Sequence, residues 1–142
     1  ARERSLKRES SKEDAKRLVK EAIDKSNNGI CILDNFVPWQ EVIITSNMEM
    51  KSDIDFVIFP ELGSNVNWRV QAVPRDNSST PINRIDLLTK EEMDDCYFVH
   101  NNKFIGGFGS KKAAIEGAKK SKDFYVNNYW YVEYKKQGEK NA

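Results

Sequence analysis

The apolar residues of this chain fall in short runs closed by turn formers, and that pattern admits few folds. Ile30-Cys31-Ile32-Leu33, Phe56-Val57-Ile58-Phe59 and the stretch from Asn67 to Val73 each have the length of a strand. The last of these alternates, placing Trp68, Val70 and Ala72 on one face and Arg69 and Gln71 on the other. Pro60 ends the second run, and the segment from there to Val66 contains Gly63 and suits a hairpin. Tyr97-Phe98-Val99-His100 and Phe104-Ile105 predict a second hairpin across Asn101-Asn102. Ahead of the strands, Ala15, Leu18, Val19, Ala22 and Ile23 repeat at helical spacing, with Ser10 or Ser11 as the cap and Asn27-Asn28-Gly29 as the stop. A short helix is expected from about Trp39 to Ser46, and Thr89 with Glu92 forms a capping box for a brief turn. A longer helix runs from Lys111 to about Ser121. Few helices and mostly hairpin-linked strands predict an α+β domain, a mostly antiparallel sheet with two main helices (about 11–26 and 111–121) packed on it.

At 142 residues, 39% hydrophobic and 32% charged, the chain has the size and composition of a single soluble domain. Residues 1–10 read as a flexible lead-in or linker, 11–121 as the domain and 122–142 as an aromatic, lysine-rich tail. No apolar run approaches the roughly 20 residues that span a bilayer, and no signal-peptide pattern follows the charged start, so an intracellular protein without a membrane role is expected. Cys31 and Cys96 lie in apolar surroundings without metal-ligand spacing and read as buried free thiols.

Net charge is close to zero, but its distribution is uneven. Residues 101–122 hold six Lys against one Glu, while residues 26–100 hold five Lys/Arg against twelve Asp/Glu. The basic stretch includes Gly106-Gly107-Phe108-Gly109-Ser110-Lys111-Lys112. Two lysines in the first turn of a helix oppose its dipole, whereas an anion there would reverse the sign of that term. The segment therefore reads either as a phosphate cradle, with Gly106 and Gly107 baring backbone N–H groups, Ser110 capping or donating, and Lys111 and Lys112 adding charge, or as a tight turn into a surface helix. It matches neither a Walker loop nor a dinucleotide fingerprint. Asp53, Asp55, Asp94 and Asp95 are paired acids without a nearby histidine and are expected in turns and on solvent faces. Phe124 to Tyr134 is crowded with aromatics, and Tyr129 to Tyr134 reads as a strand or flap, serving core packing, an interface or nucleic-acid stacking.

Several stretches resemble one family. Ile32-Leu33-Asp34-Asn35-Phe36-Val37-Pro38-Trp39, Asp55 to Pro60, Asn67-Trp68-Arg69-Val70-Gln71-Ala72-Val73-Pro74, and Cys96 to His100 followed by Phe104-Ile105-Gly106-Gly107 are similar, in order, to the C-terminal half of the melanocyte-proliferating-gene family. The likeness covers about residues 11–121. That family is similar in turn to the DHH-type metal-dependent phosphoesterases. This chain departs from the family pattern at Pro81 to Leu88, where a tryptophan and glycine are missing, and after Gly107.

The resemblance implies a substrate-binding domain belonging to a 3′-to-5′ RNA exonuclease-like phosphodiesterase, not catalytic alone. A divalent metal (Mn or Mg) would sit in a separate N-terminal domain, with no cofactor and no catalytic residue in this chain. The start at Ala1, without an initiator Met, fits an excised fragment. Implied partners are single-stranded RNA or an oligonucleotide and the N-terminal catalytic domain; pairing with a second copy of the chain, through the sheet edge or the aromatic tail, belongs to the alternative reading of an interaction module. The implied location is the nucleus or mitochondrion. The substrate or phosphate contacts would be His100, Gly106, Gly107, Ser110, Lys111, Lys112, Arg69 and Gln71, although structural roles remain open for His100, Arg69 and Gln71. The alternatives from other classes are a protein-interaction or dimerisation module of a larger protein and a nucleotide-binding regulatory domain.

Overall fold

The computed structural model describes the backbone of residues 2–79 and 81–134 and the side chains from Glu13 onward. Ala1, Thr80 and 135–142, which include part of the expected lead-in and of the expected tail, lie outside the described residues. In order, the elements are α1 (Arg2–Asp24), β1 (Ile30–Ile32), α2 (Gln40–Met48), β2 (Phe56–Pro60), β3 (Trp68–Ala72), a 3-10 turn (Lys90–Glu92), β4 (Cys96–Val99), β5 (Ile105–Phe108) and α3 (Lys111–Asn127).

The five strands form one sheet in the order β1-β2-β3-β5-β4. All neighbours are antiparallel except β1 and β2, which α2 joins as a parallel pair. The fold is therefore α+β, as the run lengths predict.

Strand alternation sorts the side chains into two cores. Ile30, Phe56, Ile58, Val70, Ala72 and Phe108 face α3 and pack with Ala113, Ala114 and Ala118. Cys31, Val57 and Phe59 face the other way and pack with Val19 and Ala22 of α1 and with Trp39, Ile43 and Ile44 beside and within α2. The buried face of α3 is built from Ala113, Ala114, Gly117, Ala118 and Ser121, so its backbone comes close to the sheet. A Cβ at Gly117 would stand 2.6 Å from the Phe108 ring.

Four expectations need correction. Helix α1 begins at Arg2 rather than near residue 11, because 2–10 contains neither Pro nor Gly and is rich in Arg, Lys, Glu and Leu, all good helix formers; Ser10 and Ser11 lie inside it. Leu18, expected on its buried face, is exposed. Residues 129–134 are helical, not a strand. Tyr125 and Tyr129, one helical turn apart, stack edge to face at 5.6 Å, and Tyr125 also bonds Glu133. The fourth concerns Asp55: it is not on a solvent face but buried, accepting from Arg84 Nε at 3.1 Å and Lys122 Nζ at 3.0 Å, while Arg84 also reaches the exposed Asp53.

Candidate substrate-binding face

Helices α1 and α2 cover only the β1–β2 half of their side of the sheet. Among the described residues no helix lies on the same side of β3, β5 and β4. That uncovered half presents two cross-strand rows: Arg69, Gly107 and Phe98, then Gln71, Ile105 and, one residue beyond β4, His100.

Gly107 is the low point of this face. A Cβ there would meet the Phe98 and Tyr97 rings at 2.5 Å, so the absence of a side chain is what lets both rings settle over β5. The pairing of β4 with β5 shifts between Cys96 and Phe98, and this irregularity brings the extra residue, Tyr97, alongside Phe98 with ring centroids 5.4 Å apart. The Arg69 guanidinium lies 5.2 Å from the Phe98 ring centroid.

Glu61, in the β2–β3 hairpin, organises the near edge. Its Oε1 accepts from Arg69 Nη2 at 2.7 Å, Arg69 Nε at 3.2 Å and the Tyr97 hydroxyl at 2.8 Å; its Oε2 accepts from Asn67 Nδ2 at 3.1 Å. The Arg69 hydrogen bond, then those of Tyr97 and Asn67, hold the Glu61 carboxyl at about 2, well below the carboxylate range. Burial and the Glu61 carboxylate push the Tyr97 hydroxyl up. At the other end His100 packs on Phe104, and its Nδ1 accepts from the Asn102 N–H at 3.1 Å, which assigns the proton of the neutral ring to Nε2. An open hollow of about 400 Å³ runs along β4, lined in part by Tyr97, Phe98 and His100.

The eight residues the sequence nominates thus separate. Arg69, Gln71, Gly107 and His100 share the uncovered face. Gly106 points the other way, against Leu87 and Val99. Both glycines lie within β5, an interior strand paired on each side, so their N–H groups belong to the ladders. Gly109 N–H donates to Asp95 O at 2.9 Å. Ser110 caps α3 by accepting from Ala113 N–H. Lys111 sits 5.3 Å from the Trp68 ring centroid on the α3 side, and Lys112 is exposed. The strand continues through the glycines to Phe108, which is why no glycine cradle forms. Sequence reasoning passed over Glu61, Tyr97 and Phe98; an acid placed before a hairpin and two aromatics opposite Gly107 were the available signals.

Burial pushes the Cys31 thiol up to about 11, while Cys96 is half-buried rather than buried. Among the described residues no group of three or more His, Cys, Asp or Glu side chains is arranged to hold a metal ion. No described helix is long and apolar enough to cross a membrane.

No solved structure matches the chain. A MYG1 protein of Saccharomyces cerevisiae is 34% identical over 125 residues, covering 75% of this chain and 36% of its own. A MYG1 protein of Caenorhabditis elegans is 30% identical, covering 80% and 39%, and the MYG1 exonuclease of Mus musculus is 30% identical, covering 74% and 32%. The chain therefore spans between about a third and two-fifths of the length of these curated relatives. The model of the MYG1 exonuclease family, described as an uncharacterised protein family (UPF0160), matches residues 3–121, and the chain belongs to that family.

Proposed function

We propose that this chain is the substrate-binding part of a DHH-like, metal-dependent 3′-to-5′ RNA exonuclease, and that its uncovered sheet face receives single-stranded RNA. The observation that carries the reading is the convergence of Arg69, Gln71, Gly107 and His100, separated in sequence, on one face together with Tyr97 and Phe98. Exposed aromatics beside hydrogen-bonding side chains suit an unstacked strand. The printed name of the mouse relative, an exonuclease, agrees with such a ligand. The hydrolytic step, with its Mn or Mg ions, would belong to an N-terminal domain that this face would meet, in a protein of the nucleus or mitochondrion.

Titration of single-stranded RNA into the protein tests this. Arg69→Ala should weaken binding about tenfold, and Lys111→Glu with Lys112→Glu much less. Absence of binding at low salt, or loss only with the lysine pair, contradicts it.

A second reading, association with another copy of the chain, is favoured by the exposed aromatics of residues 124–134, among which Trp130 is 83% exposed. Sedimentation of the protein and its Trp130→Asp variant checks it: a dimer converted to monomer supports this reading, and a monomer at high concentration rejects it.

A further inference from the structure

The cation nearest the middle of the uncovered face is already matched. Glu61 binds both Nε and Nη2 of Arg69 through one oxygen, and Tyr97 and Asn67 complete the carboxylate's partners. With Glu61 ionised the pair carries no net charge. A phosphate approaching Arg69 also meets the Glu61 carboxylate held 2.7 Å from its Nη2, so repulsion offsets part of the attraction.

What the face does offer is planar. The Tyr97 ring is 42% exposed, Phe98 is half-buried with the guanidinium over it, and the exposed His100 ring leans on Phe104 at 4.6 Å. The Tyr97 and Phe98 rings lie directly on Gly107, which puts no side chain between them and the sheet. Uncharged π-surfaces over a glycine floor complement the face of a nucleobase, and the stacking they provide is indifferent to salt.

The geometry points to a nucleobase platform at Tyr97, Phe98 and Arg69: it takes an unpaired base by stacking, Gln71 and the His100 Nε2–H lie along the base edge, and the phosphates of the strand stay in solvent. This inference rests on the RNA reading above and specifies which part of the strand is held.

The experiment compares two oligomers of equal length and phosphate number, one oligouridylate and one abasic, by fluorescence anisotropy at two salt concentrations. The abasic oligomer should bind at least about tenfold more weakly. Tyr97→Phe, which removes only the hydroxyl bonded to Glu61, serves as the control for Tyr97→Leu; relative to it, Tyr97→Leu should weaken oligouridylate by about fivefold to tenfold and leave the abasic oligomer unchanged. Glu61→Gln should improve abasic binding and steepen the salt dependence by about one phosphate contact, because it releases the Arg69 charge. Equal binding of the two oligomers, or equal loss on both in Tyr97→Leu, overturns the platform and leaves the RNA reading standing. Binding of neither overturns both.

Discussion

The Tyr97 hydroxyl donates to the Glu61 carboxylate across 2.8 Å although 36 positions separate them in sequence. The bond spans the ends of β3 and β5 and fastens the irregular start of β4 to the β2–β3 hairpin. The shape of the uncovered face depends on it.

The acid behaviour of Glu61 follows. Its carboxyl is lowered from 4.5 to about 2, chiefly by Arg69. A group lowered on folding stabilises the fold above its ordinary value, and that contribution is lost as pH falls towards 2. Carboxyl NMR should find Glu61 ionised between pH 4 and 3. Arg69→Ala should return its midpoint towards 4.5, and a midpoint near 4.5 in the unaltered protein contradicts the arrangement.

Gly107→Ala should be costly. The new methyl would overlap both the Tyr97 and Phe98 rings at 2.5 Å, and overpacking of this kind costs about 1–3 kcal/mol. A lowered urea midpoint together with weakened RNA binding is expected. A variant as stable as the parent shows that the rings yield freely.

The pairing at Asp55 predicts a larger loss. Asp55 is 5% exposed, with Arg84 and Lys122 both on its carboxylate. Removing the acid takes the shared buried counter-charge from both cations, leaving Arg84 only the exposed Asp53 and Lys122 only the Asn28 carbonyl, so Asp55→Ala should cost about 3 kcal/mol in chemical denaturation. Asp53→Ala, at an exposed partner of Arg84, should cost below about 1 kcal/mol.

At the start of α3, Lys112→Glu should raise stability by about 0.3–1 kcal/mol, since an acid there agrees with the helix dipole. Lys111→Glu gains the same term but forfeits the contact with Trp68, which is worth about 0.5–1 kcal/mol, and should be close to neutral. Thermal melts of the two single variants distinguish these outcomes.

Local periodicity carried the strands, because Trp68, Val70 and Ala72 alternate with Arg69 and Gln71 in the sequence as they do in the sheet. The Thr89–Glu92 capping box was readable for the same reason: both partners lie within one turn. The glycine segment was not, because a glycine in a strand and a glycine in a loop look alike until the rings above Gly107 are known, and those come from another strand. Nor could Asp55 be assigned, since its cationic partners sit after β3 and in α3. In the tail the density of aromatics suggested a strand, while the pairing of Tyr125 with Tyr129 and Glu133 obeys helical spacing.

Because β5 follows β4 in the chain yet lies between β3 and β4, residues 96–99 have no neighbouring strand until 105–108 have been made. A ribosome that has delivered everything through His100 has released three sheet strands and an orphan. The last strand to emerge docks on both sides at once, so the uncovered sheet face is born whole in a single late event rather than being assembled piecemeal.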